Sequence, residues 1–259
     1  MNYKTILISD EGPIRTITLN RPERRNAMTQ EMQTELISAM EETVASGCRV
    51  LILTGAGEAF CSGLDLSELQ TMRDKTAADY RIDAERVARL FVTLSELPIP
   101  TIAAVHGPAI AGGTGLATIS DFTLATPASK FGFTEARIGF VPALVSAFLA
   151  LQVGDKQCRD LLLTARIFGA EEAQRLGLVN EVVAHGDLMA RVQSLAASLV
   201  ANSPESQRAT KLLLARQNRA WLDAAIVAAL EANAESRETD DFREGVAAFL
   251  EKRKPVWKK

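Results

Sequence analysis

The apolar positions of the chain alternate between two periods. Thr5–Ser9 and Ile14–Leu19 are short runs with strand character, and Glu11, Gly12 and Pro13 form a turn between them. Asn20, Arg21, Pro22 and Glu23 end the second run. Thr29 then stands as a helix N-cap with Glu31 in the first turn, which predicts a helix to about Ala45. Met32, Leu36, Met40 and Val44 recur at helical spacing and predict its buried stripe. Val50–Thr54 is continuously apolar, as a parallel strand covered on both faces requires.

The same alternation continues. Gly55, Ala56 and Gly57 follow that strand, and then a turn of small residues, Cys61-Ser62-Gly63-Leu64-Asp65. Leu66–Lys75 is mixed and polar and reads as a mobile segment, and a helix is predicted from Thr76 to about Leu94. Leu97-Pro98-Ile99-Pro100 stops it, Thr101–Val105 is a second buried strand, and a Gly-rich stretch from Ala111 opens a helix to Ser120. Phe122–Ala125 is a further strand. Strand and helix alternating in this way predict an α/β fold with parallel pairing. Beyond Ser203-Pro204-Glu205 strand signals cease, and Ala-rich helical sequence runs to Phe249. The chain thus divides into a core domain, 1–203, and a helical C-terminal region, 204–259, that packs on the core or serves assembly.

Composition narrows the function. Of 259 residues, 47% are apolar and 24% charged, enough for a core without staples. The net charge of −3 shows no basic excess, so a nucleic-acid partner is not expected. Lys252, Arg253 and Lys254, with Lys258 and Lys259, form the one basic cluster, which suits a solvated helix end or an anionic ligand. Cys48, Cys61 and Cys158 are an odd, sparse set, fitting a reducing compartment and no disulfide framework. None has metal-type spacing with another Cys or with His106 or His185, so no metal is expected. No apolar run reaches membrane-span length, and the first residues resemble neither a secretory nor a transit segment. A cytoplasmic protein with no membrane contact is expected.

Several motifs fail on inspection. Gly55 and Gly57 follow a strand, but the third glycine of a dinucleotide fingerprint would fall on Phe60; for Gly113 and Gly115 it would fall on Thr118. No phosphate-binding loop with its Lys and no Ser nucleophile elbow occurs. Cys61 with His106 as a thiol nucleophile is outweighed by a small buried Cys and a turn His. What remains is a pair of small-residue turns, each after a buried strand. Glycine there lets backbone approach a ligand closely, and the second turn opens a helix whose N-terminus favours negative charge. Two N–H groups aimed at one point would hold a carbonyl oxygen.

Phe60-Cys61-Ser62-Gly63-Leu64-Asp65-Leu66 resembles the first signature of the crotonase superfamily, the enoyl-CoA hydratases and isomerases. The run from Ala103 to Gly113 resembles the second, and Phe131–Glu135 with Gly139-Phe140-Val141-Pro142 the third. Leu19–Pro22, Arg25–Met28, the Glu171–Val179 segment and Glu244–Arg253 resemble further family segments in order, so the likeness covers nearly the whole chain.

The resemblance implies a spiral of ββα turns followed by a helical trimerisation region, assembled as a homotrimer or a hexamer of two trimers. It implies an acyl-CoA thioester as substrate and no separate cofactor, CoA being part of the substrate. By position, the N–H groups of Leu64 and Gly112 would form the oxyanion hole. Ala27, Ser62 and Asp65 would lie at the CoA, with Phe249 and Lys252 approaching from the C-terminal region. Leu69, Met72, Phe140, Leu144 and Phe148 are candidates for the acyl pocket by their nearness to the signatures. Two-carboxylate hydratases carry one Glu shortly after the second turn and another in the third signature; here Glu135 is present, and Gly115 occupies the other position. A single carboxylate suits hydration of a 2-enoyl-CoA and also migration of its double bond. The stretches around Gly113–Leu116 and Glu135–Pro142 are closer to hydratases of branched or methylglutaconyl-type acyl groups. Hydratase is therefore the first expectation, isomerase the second, and a non-catalytic acyl-CoA-binding protein the third.

Overall fold

The computed structural model describes residues 3–65, 68 and 76–258. The segment read as mobile falls, Glu68 apart, outside the described residues, and so do Leu69 and Met72. The first half contains β1 (Ile6–Glu11), β2 (Ile14–Leu19), α1 (Gln30–Ala45), β3 (Val50–Gly55), α2 (Ala77–Glu96), β4 (Thr101–Val105) and β5 (Pro108–Ile110). Next come α3 (Gly112–Ile119), β6 (Phe122–Ala125), β7 (Lys130–Gly132), α4 (Ala143–Thr164), β8 (Phe168–Gly169), α5 (Ala170–Arg175) and β9 (Glu181–Val182). Three helices finish the chain: α6 (Leu188–Val200), α7 (Pro204–Glu238) and α8 (Asp240–Leu250).

Two sheets organise these elements. The larger runs β1-β2-β3-β4-β6-β9, antiparallel between β1 and β2 and parallel thereafter. The smaller is β5-β7-β8, with β5 and β7 parallel. The continuous apolar runs have the reason the sequence suggests. Side chains alternate between faces along a strand, so Ile17, Leu51, Leu53, Ala103 and Val105 pack toward α1 and α2. Val50, Ile52, Ile102, Ala104 and Leu124 pack toward Leu188, Val192 and Ala196 of α6 on the other side.

The helix starts follow local chemistry. Thr29 Oγ1 accepts from Met32 N at 3.1 Å, and Thr76 with Asp79 closes a reciprocal capping box. In α1, Met32, Leu36 and Met40 are buried as their spacing predicts, but Val44 is 39% exposed. In the last turn the buried position is Thr43, 0% exposed, because a strict i+4 run drifts off one face of a helix with 3.6 residues per turn. The tail is helical from Pro204 onward, with one break at Thr239, whose side chain caps α8 by accepting from Phe242 N. Helix α7 packs along α2 and α4.

A buried ion pair ties α7 to the core. Arg237 Nη1 donates to Asp83 Oδ2 at 2.8 Å, and Asp83 Oδ1 accepts from Arg86 Nη1 at 2.8 Å and Gln30 Nε2 at 3.1 Å. The Arg237 guanidinium also lies over the rings of Tyr80 and Phe140, at 5.7 and 5.4 Å from their centroids. The pair's side chains are 0% and 5% exposed, so removing one partner strands a charge in low dielectric. Asp83→Ala is expected to lower stability by about 3–5 kcal/mol. The double variant Asp83→Ala, Arg237→Met is expected to recover most of that loss, as measured by denaturant unfolding.

Candidate active site

Three loop segments meet because their backbones leave room for one another. Residues 25–28 lie along 62–65: Ser62 N donates to Arg25 O at 3.1 Å, Met28 N to Gly63 O at 2.7 Å, and Asp65 N to Met28 O at 3.0 Å. Arg21 fixes this pairing from beneath, since Nη1 donates to Ala27 O and, at 2.9 Å, to the buried Asp65 carboxylate. Cys61 pairs with Ala109, and Ile110 N donates to Cys61 O at 2.8 Å, which brings in the loop ahead of α3. At Gly113 an added Cβ would stand 2.2 Å from Cys61 O, so only glycine permits the contact.

The two turns adopt the backbone shapes that an oxyanion hole needs. Gly63 has φ +91°, and a Cβ there would lie 3.7 Å from Gly112 N. Ala111, a non-glycine at φ 52° and ψ −124°, turns the chain into α3 and is held by its N–H on Gly132 O at 2.7 Å. This uncommon conformation sits at a site, as stored strain often does. Among the described residues the N–H groups of Leu64 and Gly112 have no acceptor, and Gly112 begins a helix, where the dipole favours negative charge.

Both turns line one cavity of about 930 Å³, its open mouth included. Its walls are chiefly apolar, with Met28, Phe91, Val145 and Phe140 among them. Glu135 opens a short 3₁₀ turn, Glu135–Ile138, and lines the same cavity. Its backbone is on a partly exposed loop, but Oε2 is buried without a hydrogen-bond partner. Burial pushes its pKa up from 4.5 to about 7, opposed only by a bond from its own backbone N–H. A carboxyl in this state takes and returns protons near neutral pH.

The other candidate positions distribute unevenly. Ser62, Leu64, Gly112, Phe140, Leu144 and Phe249 line the cavity with Glu135. Ala27 and Asp65 stand behind its wall as backbone and ion-pair supports. Phe148 points elsewhere: it packs edge-on against Phe91, centroids 6.2 Å apart, and does not line this cavity. Nearness to the third signature misleads at this position, because Phe148 shares a helix face with Leu144 but lies one turn further on, where the cavity no longer reaches. Helix α4 turns Leu144 and Val145 inward to the cavity, while Phe148 meets the back of Phe91. Lys252 is exposed, at φ 54°, beyond the end of α8. Cys61 is buried with its pKa pushed up to about 12 by desolvation, and His106 Nε2 is 2.9 Å from Gly57 O, so neither forms an activated thiol pair. Among the described residues no cluster of metal-binding side chains occurs, and no helix is long and apolar enough to cross a membrane.

Sequence spacing singles out neither the apolar lining residues Val87, Phe91 and Val145 nor the polar ones Asn233 and Arg237 of α7. The last two lie about a hundred residues from Glu135 in sequence. Their polar character within an Ala-rich helix, four positions apart, was the available signal.

The raised pKa of Glu135 makes stability depend on pH. Because its folded value, about 7, exceeds the unfolded one, the native protein holds a proton that the unfolded chain releases between pH 4.5 and about 7. Stability therefore falls as pH rises through that window. Glu135→Gln removes the penalty and is expected to exceed the wild type in stability by about 1–3 kcal/mol above pH 7. The difference is expected to vanish below pH 4.5, as read from denaturant midpoints across pH.

Comparison with known proteins agrees with the geometry. The enoyl-CoA hydratase/isomerase family model matches residues 10–259. A Thermus thermophilus protein provisionally named an enoyl-CoA hydratase is 43% identical over 248 residues, covering 95% of this chain and 98% of its own. The short-chain-enoyl-CoA hydratase of Clostridium acetobutylicum is 33% identical, covering 98% of this chain and 97% of its own. The crystal structure of an enoyl-CoA hydratase/isomerase from Xanthobacter autotrophicus Py2 is 33% identical, with a TM-score of 0.89 over 97% of this chain and 98% of that one. Fold, signatures and relatives together make this chain a member of the enoyl-CoA hydratase/isomerase family, within the crotonase superfamily.

Proposed function

We propose that the protein hydrates a 2-enoyl-CoA thioester, with Glu135 as the one catalytic carboxylate and the N–H groups of Leu64 and Gly112 as the oxyanion hole. The observation that carries this reading is a buried carboxyl of raised pKa in the same cavity as two N–H groups without acceptors. The names of the relatives support the hydratase side. The thioester oxygen would accept from both N–H groups, which withdraws electrons from the conjugated double bond and leaves C3 electrophilic. Glu135 takes a proton from water as the hydroxyl bonds to C3, and negative charge moves to the thioester oxygen. The same carboxyl then returns the proton to C2 as the enolate collapses, so one group balances the reaction. The CoA would lie toward Ser62, Ala27 and Asp65, with Phe249 and Lys252 nearby. The acyl group, of branched or methylglutaconyl type, would run between Phe140 and Leu144. The apolar residues exposed along α7, among them Leu213, Leu214, Trp221 and Val227, suit burial in a trimer or hexamer.

One observation favours the isomerase as a second reading. A Cβ on Gly115 would lie 2.8 Å from Val145 Cγ1 and 3.1 Å from Phe91 Cζ, so an apolar wall fills the place where a second carboxylate would hold water. On such a wall Glu135 would carry a proton between C2 and C4 of the same enolate. The two reactions separate by absorbance of the conjugated thioester. Loss on offering a 2-enoyl-CoA supports hydration; gain from a 3-enoyl-CoA, with no loss in the first assay, overturns it. Binding of acyl-CoA with no turnover of either would leave a binding protein.

Glu135→Gln is expected to lower kcat by about 10²–10⁴-fold. In the wild type kcat/KM is expected to fall as pH drops through about 7, since the base must be ionised. Gly63→Ala would force a side chain into φ +91° and against Ile110 O at 3.0 Å. It is expected to shift the Leu64 donor and cost about 10²–10³-fold in kcat, with KM changed much less.

A further inference from the structure

The lining of the cavity varies widely in burial. Phe249 is 55% exposed, whereas Asn233 and Arg237, 4% and 2% exposed, are the most buried polar residues of the cavity that Gly112 and Glu135 also line. Asn233 and Arg237 are one helical turn apart on α7 and so share a face, with Val87 and Phe91 of α2 lining the cavity beside them. An acyl chain whose thioester is held at the two N–H groups would share the cavity with this buried end.

A plain hydrocarbon tail would be met best by apolar side chains. Asn233 instead brings a primary amide whose Oδ1 is buried and has no hydrogen-bond partner. Leaving such an acceptor unsatisfied costs about 1–3 kcal/mol, a cost that Leu at the same position would not incur. Because Asn233 lines the cavity, a donor on a molecule that enters it can supply the missing hydrogen bond. Arg237 makes the same end rigid, since Asp83 and the rings of Tyr80 and Phe140 fix its guanidinium.

We propose that Asn233 determines specificity by accepting a hydrogen bond from a hydroxyl carried on the acyl chain beyond its double bond. The preferred thioester is then an oxygenated acyl-CoA. This rests on the acyl-CoA reading above but on neither of its two reactions.

The test is calorimetric and uses saturated acyl-CoAs, which the enzyme can neither hydrate nor isomerise. One series ends in a methyl group, a matched series in a hydroxyl, and a third in a carboxylate. The wild type is expected to bind the best hydroxyl-ended member about tenfold tighter than its methyl partner, the worth of about one hydrogen bond. Asn233→Leu and Asn233→Ala are both expected to bring that ratio to about one or below. A wild-type ratio of one, as a trapped water satisfying Asn233 would give, overturns the proposal whether or not the variants fold. So does a ratio that both variants preserve, or tightest binding of the carboxylate series, which would assign the end of the cavity to Arg237 instead. If no series binds, the acyl-CoA reading itself fails, and the inference with it.

Discussion

The site depends on one close approach, that of the first turn of α3 to the Cys61 strand segment. Gly113 has no space for a Cβ, and neither does Gly107, where the nearest atom would be Glu58 O at 2.0 Å. Backbone against backbone at these points brings two distant turns to one cavity with their N–H groups outward. The larger sheet supplies the rigidity, since β3 and β4 are parallel neighbours and each delivers one of the turns from the same end. In the proposed reaction, oxyanion stabilisation needs donors fixed before the charge forms. Here the fixing is done by strand pairing, by Ala111 N on Gly132 O, and by Arg21 bridging Ala27 O and Asp65.

Glu135 shows the cost of placing a carboxyl in such a cavity. Apolar walls raise its pKa to about 7, which suits proton transfer near neutrality, and the same desolvation destabilises the folded protein once the group ionises. Nothing among the described residues offsets that with a salt bridge to its carboxylate. A compensating cation would lower the pKa and weaken the base. The buried charge that is paired lies further along, in the cluster of Asp83 with Arg86 and Arg237. There the pairing brings α7 against α2, so the helix that closes the cavity is also the one whose anchoring is electrostatic.

Much of the fold was legible because it rests on local rules. Thr29 and Thr76 cap their helices by side-chain chemistry that any context preserves, and Val50–Thr54 and Thr101–Val105 read as buried strands because both faces are covered. Val44 and Phe148 differ from their spacing for two reasons. A strict i+4 run has drifted off the buried face by Val44, whereas Phe148 shares its face with Leu144 and how far the cavity extends along that face is a tertiary matter.

The sequence by itself determined the two glycine turns, the third-signature Glu135 and the missing carboxylate at Gly115, since each is a residue type at a spacing. It could not show that Leu64 and Gly112 leave their N–H groups without acceptors, that burial lifts the pKa of Glu135, or that Phe91 and Val145 wall off Gly115. Nor could it bring Asn233 and Arg237 into the cavity. Those facts arise from packing between segments far apart in the chain, where desolvation and steric exclusion are set by all neighbours at once and no local pattern encodes them.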